Sequence, residues 1–272
     1  MLVALPWLLG CQQWIVGPGL DVPPAPHTLS STSLDGAVAL SWSDESHDWD
    51  PALFLLYRVW SSGYDLDADR CTGPWQVEGT TVAPEFVVGA LPNGVPQCFR
   101  VEAETIEGVT SPFSPVRFDT PRFDANGVAL FAGQVDNARA GFRFWVDHNG
   151  DARATRAELA LVGPGDAAVD LALHRDPDGT FWLEPRRAGT RITVWGNAPV
   201  ASLTAIDLAP ATGYSRQLVE ALPGWGYVVE MEGPDGWKRY GALRITAAAA
   251  GYLLLEWAFQ DDPGNPELLR DA

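Results

Sequence analysis

Apolar side chains recur at every second position in short runs along most of the chain. Val38, Leu40 and Trp42 alternate with small or polar residues, the pattern of a strand with one buried face. Leu53 to Trp60 (LFLLYRVW) is a longer apolar run with β-branched and aromatic members, and Phe86 to Val88 is a short one. Phe99, Val101 and Ala103 alternate with Arg100, Glu102 and Glu104. Ser61-Ser62-Gly63, Pro92-Asn93-Gly94 and Glu107-Gly108 separate these runs as turns. Short strands divided by regular turn signals predict an antiparallel sandwich.

The second half continues the pattern. Candidate strands are Val128–Ala132, Phe142–Val146, Glu158–Val162, Val169–Leu173, Thr180–Glu184, Arg191–Trp195, Leu203–Leu208, Tyr227–Glu232, Leu243–Thr246 and Tyr252–Gln260. Breakers such as Asp176-Pro177-Asp178-Gly179 and Gly233-Pro234-Asp235-Gly236 lie between them. No long helical period occurs, and Ala247–Ala250 is a small-residue run suited to a turn or sheet edge. The chain is therefore predicted as all-β, with a second sandwich or jelly-roll-like domain after the first.

Residues 23–121 resemble a fibronectin type III domain. The resemblance rests on Pro23, Pro24 and Pro26 at the start, Trp42 as core tryptophan and Tyr57 as the strand C tyrosine. It continues with Leu91-Pro92-Asn93-Gly94 before Cys98–Ala103, and with Gly108, Ser111, Pro112, Ser114 and Pro115 in the last hairpin and strand. The family's corner tyrosine is replaced by Gln97. The resemblance implies an immunoglobulin-like sandwich and carries no activity. From Gly213 onward, GYVVEMEGPDGWKRYGALRIT and YLLLEWAFQDDPGNPEL resemble the C-terminal β-module of uncharacterised bacterial lipoproteins. There Tyr227, Val229, Leu243, Ile245, Leu254 and Trp257 are expected in the core.

The N-terminus resembles a lipoprotein signal. Leu2 to Leu9 is apolar but too short to span a bilayer, which takes about 20 helical residues. It runs into Leu8-Leu9-Gly10-Cys11, which resembles a bacterial lipobox. That resemblance implies cleavage before Cys11 and lipidation of its thiol. Gln12, in place of Asp, implies the outer membrane. The segment is short and no Lys or Arg precedes it, both of which a start site placed too far downstream would explain. The expected organisation is signal and anchor at 1–11, a Pro/Gly-rich tether at 12–22, the fibronectin-like domain at 23–121 and a C-terminal β-domain at 122–272. Three cysteines then divide into Cys11 and the pair Cys71 and Cys98, either a disulfide in an oxidising compartment or two free thiols.

Charge narrows the partners. Eighteen Lys+Arg against 35 Asp+Glu give −17, which excludes the basic stripe of a nucleic-acid binder. Residues 23–121 hold 14 acidic and 4 basic side chains, so the first half attracts cations or basic surfaces.

Candidate chemistry is sparse. Asp147, Asn149, Asp151 and Glu158 stand at positions 1, 3, 5 and 12 of a calcium-loop spacing, although Ala152 replaces the required glycine. Asn149-Gly150 is equally a hairpin signal, and the turn is the favoured reading; calcium is the one cofactor the sequence suggests. Asp65, Asp67 and Asp69 form a second acidic cluster, and Asp44, Glu45, His47, Asp48 and Asp50 a third, both expected as solvated loops. Signatures of serine hydrolases, zinc proteases, phosphate loops and dinucleotide sites are missing from the sequence. Of 12 Trp, Trp49, Trp75, Trp225 and Trp237 sit in turn-like contexts, where they either cap the sandwiches or stack on sugars. Trp225, Trp237 and Tyr240 are the ligand candidates.

These features predict a non-enzymatic envelope lipoprotein. It meets the membrane through its lipid and binds a protein or glycan ligand. The alternatives are a carbohydrate-binding accessory protein and a hydrolase with an unrecognised carboxylate pair.

Overall fold

The computed structural model describes residues 22–66, 68–146, 160–233 and 235–268. Ser30–Leu34 (β1) and Ala37–Ser41 (β2) form a hairpin whose two-residue loop is Asp35-Gly36. Gly36 sits at φ +66, the left-handed geometry such a tight loop demands. A short helix, Glu45–Trp49 (α1), follows. It occupies the acidic segment expected as an open loop. The long strand Phe54–Asp65 (β3) then pairs with Arg70–Cys71 (β4) at its end and with Gln76–Thr81 (β5) along its flank. Glu85–Val88 (β6) joins β2, whereas Gln97–Thr105 (β7) joins β3 and carries Arg117–Asp119 (β8) on its outer edge.

The order β1-β2-β6 in one sheet and β4-β3-β7-β8 with β5 in the other makes the first sandwich. Alternation decides its interior. Val38 and Leu40 from one sheet meet Tyr57, Val59, Phe99, Val101 and Ala103 from the other. Trp42 lies edge-on to Tyr57, their ring centroids 5.3 Å apart. Cys71 and Cys98 form a disulfide that ties the short β4 edge to β7.

Thr120, Pro121 and Arg122 lead into the second sandwich. Its first sheet contains Gly141–Arg143 (β10), Ala160–Val162 (β11), Leu171–Arg175 (β12), Phe181–Pro185 (β13) and Val219–Glu220 (β15). The second contains Phe123–Phe131 (β9), Thr190–Val194 (β14), Gly226–Glu232 (β16), Lys238–Ala248 (β17) and Tyr252–Gln260 (β18). Both sheets are antiparallel, ordered β11-β10-β12-β13-β15 and β14-β16-β17-β18-β9. Phe142, Phe144, Leu171 and Leu183 pack between them against Tyr227, Val229, Leu243, Ile245, Leu255, Trp257 and Phe259. Each large side chain closed off this way contributes roughly 1.5–3 kcal/mol.

One expected strand is absent. Leu203–Ala205 is a single helical turn, and Leu203 and Ile206 pack with Val228, Ala242 and Ala258 on the outer face of β16, β17 and β18. Its apolar residues serve a cover over a sheet rather than a strand within one, and sequence pattern does not separate the two.

Candidate functional site

Among the expected site residues, the structure brings Cys71 and Cys98 together and scatters the aromatics. Trp225 packs half-buried against the second core at one end of β16. Trp237 lies in the hairpin at the opposite end, 61% exposed, over Gly264. Tyr240 faces Tyr214 on the covered outer face of the sheet, 6.5 Å between ring centroids. These three rings form no common platform. Trp75 is not a free cap either. Arg100 lies 4.0 Å from its ring centroid and 3.7 Å from that of Phe113, so the guanidinium fills the space between them. Cys11 and the proposed calcium ligands Asp147, Asn149, Asp151 and Glu158 lie outside the described residues, as does Asp67.

The acidic segment at 44–50 is more ordered than a solvated loop. Tyr57, fully buried, donates its hydroxyl to Asp44 at 2.8 Å. Burial, and then this bond, push the Tyr57 phenol well above its ordinary range. His47 stands between Asp44 and Asp48, 3.8 and 3.5 Å from their oxygens, and its ring packs edge-on against Phe54. The three potential ligand atoms lie within 4.8 Å of one another.

A larger feature lies at one end of the second sandwich. There the chain leaves β10, turns from β13 into β14, and turns from β16 into β17. Trp145, Val146, Arg187, Gly189, Glu232 and Gly233 line a cavity of about 610 Å3 between these connections. Asp170 organises it. The Asp170 side chain is fully buried, and it accepts from the Phe144 amide at 2.8 Å and from the Thr190 hydroxyl at 2.9 Å. Arg187 Nη2 lies 2.7 Å from the same carboxylate as an ion pair, while Arg187 Nη1 donates to the Trp145 carbonyl at 3.0 Å. Burial pushes the Asp170 carboxyl up; the Arg187 charge and the donated hydrogen bonds pull it back down.

A second arginine packs against Trp145. Arg239 is fully buried, lies 4.2 Å from the Trp145 ring centroid and binds Asp235 through both terminal nitrogens at 3.1 and 2.8 Å. That fork holds the Asp235 carboxyl below its usual range. Gly233 cannot carry a side chain here. A Cβ would fall 2.4 Å from Arg239 Nη1 and 3.3 Å from the Trp145 ring.

Among the described residues, the buried Trp145 indole Nε1 and Arg187 Nε have no hydrogen-bond partner. The cavity lining also includes Glu232, an exposed residue. No serine, cysteine or histidine is among the described lining residues. Asp170 is enclosed, with both oxygens occupied. Among the described residues, the lining therefore offers neither a nucleophile nor a pair of open carboxylates.

The sequence did not single out this site. Its one local signal was Asp170, a lone carboxylate in the apolar run Val169-Asp170-Leu171-Ala172-Leu173. A charge in such a run must find a buried partner.

A second, smaller cavity of about 320 Å3 lies between the sandwiches, lined among others by Ser33, Asp124, Asn126, Ser202, Thr204 and Glu256. It borders a buried polar joint. Arg122 Nη2 donates to the Ser33 carbonyl at 2.8 Å, and the Ser33 hydroxyl donates to Asp119. Asn265 Nδ2 donates to Thr120 Oγ1 at 3.1 Å, and the Gly94 amide donates to the Pro121 carbonyl at 2.8 Å. The turn at 92–94, the linker at 120–122 and the segment at 261–267 thus interlock.

No protein-family model matches the chain, and no curated protein matches it in sequence. Solved structures resemble it in fold. A fibronectin type III-like protein from Clostridium thermocellum covers 36% of this chain and 92% of its own, at 18% identity and a TM-score of 0.28. The FN5 domain of Drosophila Lar covers 36% and 96%, at 17% identity and a TM-score of 0.28. A DUF4466 family protein from Parabacteroides merdae covers 89% of this chain and 96% of its own, at 11% identity and a TM-score of 0.40. At such identities and scores nothing about activity transfers, and the two-sandwich fold stands on the strand pairing itself.

Proposed function

We propose that the chain is a non-enzymatic binding or adhesion module of the bacterial cell envelope. In this reading Cys11 carries a lipid, Gln12 directs the chain to the outer membrane, and the Pro/Gly-rich residues 12–22 hold the folded part away from it. The fibronectin-like sandwich is the spacer, and the C-terminal β-domain presents the ligand surface. The C-terminal resemblance to modules of uncharacterised bacterial lipoproteins belongs to the same reading.

One observation carries it. The charged groups around the cavity at Trp145 are consumed by structure, Arg187 with Asp170 and Arg239 with Asp235, so the site is suited to hold rather than to transform. The buried joint at Arg122 supports it by making the spacer rigid. The net charge of −17 argues against nucleic acid as partner.

Two measurements test the reading. Cells expressing the full chain or Cys11→Ser are labelled with a palmitate analogue; label in the first and none in the second is expected. Purified protein is then incubated with polysaccharide and cell-wall preparations. Turnover that a single Asp or Glu substitution abolishes would overturn the reading in favour of a hydrolase.

A further inference from the structure

In an Asn-Gly pair the backbone can attack its own side chain. The glycine carries no Cβ, so its nitrogen approaches the asparagine Cγ without hindrance. The fold decides which pair is free to do so. Asn93-Gly94 and Asn126-Gly127 are the two such pairs among the described residues. Asn93 is held on every side. Its Oδ1 accepts from the Gly36 amide at 2.8 Å, and its Nδ2 donates to Asp35 at 2.7 Å. The Gly94 amide, whose nitrogen would have to attack, donates to the Pro121 carbonyl at 2.8 Å. All three bonds must open before Asn93 can react.

Asn126 is placed differently. It and Gly127 are exposed on β9, an edge strand. The pairing with β18 slips there. Val128 faces Leu255 and Ala125 faces Trp257, so Asn126 and Gly127 together oppose Glu256 alone. This is a β-bulge, with Gly127 at φ +67, and it interrupts the ladder that would otherwise hold both residues. The Asn126 carboxamide makes no hydrogen bond among the described residues. We propose that Asn126 is a site of spontaneous deamidation. The Gly127 nitrogen loses its proton to solvent base and bonds to Asn126 Cγ; the side-chain nitrogen takes up a proton and leaves as ammonia. Water then opens the cyclic imide at either carbonyl, leaving aspartate or isoaspartate. The product carries a carboxylate where the carboxamide stood, beside Asp124 and Glu256 in the cavity between the sandwiches. Burial already pushes the Asp124 carboxyl up, so this cavity resists a further negative charge. Deamidation therefore loosens the contact between the sandwiches as the protein ages. The proposal is independent of the binding-module reading.

The test incubates the full folded chain at mildly alkaline pH and maps its peptides by mass spectrometry over time, with the chain unfolded in urea as reference. In urea both pairs should convert at similar rates. In the folded chain Asn126 should convert at least about tenfold faster than Asn93, because the three hydrogen bonds at Asn93-Gly94 must first be broken. Asn126→Gln, whose longer side chain would have to close a larger ring, should show no conversion at this position. Asn126→Asp carries the charge of the product and should lower the thermal midpoint, whereas Asn126→Gln should leave it in place. An Asn126 that stays intact in the folded chain while reacting in urea, or an Asn93 that converts as fast, would overturn the assignment. A midpoint for Asn126→Asp equal to that of Asn126→Gln would overturn the loosening.

Discussion

Arg122 donates its Nη2 hydrogen to the carbonyl oxygen of Ser33 at 2.8 Å, from the linker across to the first strand of the first sandwich. The guanidinium is fully buried, and burial pulls its pKa down to about 10 against the charges of Asp119, Asp124 and Glu267. Removing it strands those carboxylates. Arg122→Ala should cost about 3 kcal/mol, the scale of breaking a buried ionic network. Calorimetry should show one unfolding transition in the unaltered chain and two, one per sandwich, in the variant. A single unshifted transition in Arg122→Ala would mean that the joint does not couple the domains.

The Cys71–Cys98 disulfide closes a loop of 27 residues. By the entropy lost from the unfolded chain, it should stabilise the first sandwich by about 3–4 kcal/mol. Denaturant titration of Cys71→Ser/Cys98→Ser should therefore lower the unfolding midpoint below that of the unaltered chain. Equal midpoints would show that the bond constrains little in solution.

Acid should loosen the cavity end of the second sandwich through Asp235. Its folded pKa is held below the ordinary 3.8, first by the hydrogen bond from Arg239. A depressed carboxyl pKa means that the unfolded chain binds the proton first. The stabilisation is therefore complete above the unfolded pKa near 3.8 and is lost as pH falls below it. Protonation also leaves Arg239, fully buried, without its counter-charge. Chemical denaturation between pH 6 and 2.5, compared with Asp235→Asn, should show a steeper acid loss in the unaltered chain. Parallel curves would discard the argument.

Gly241 lies directly against the Phe144 ring inside the second sandwich. A Cβ there would fall 2.6 Å from the Phe144 ring. Phe144 is itself packed between Phe142 and Trp257, at centroid distances of 4.7 and 6.3 Å, and has little room to yield. Gly241→Ala should therefore destabilise by about 1–3 kcal/mol despite the better backbone propensity of alanine. Urea denaturation gives the value, and a neutral result would mean that the ring shifts freely.

Much of the architecture was legible in one dimension. The strand Tyr252–Gln260 has the predicted bounds, and β2, β6, β7, β13, β14 and β16 fall within a few residues of prediction, whereas β3 runs on to Asp65 through Ser61-Ser62-Gly63, residues that the pattern reads as a turn but that pair with β7. Where the pattern misled, position in the fold was the reason. Leu203 and Ile206 look like a strand but cover a sheet. The strand Gln76–Thr81 was not predicted because its residues are largely exposed on a sheet edge and carry no apolar period.

The chain by itself determined the all-β class and the alternating core positions, because a period of two is a local property that each strand carries wherever it is placed. Only tertiary structure decided the cavity. Trp145 leaves one strand, Arg187 sits in a turn and Glu232 ends another strand, and no spacing links them. Their meeting depends on how two sheets stack and on the buried Asp170 that draws Arg187 inward, a long-range electrostatic choice that sequence periodicity does not encode.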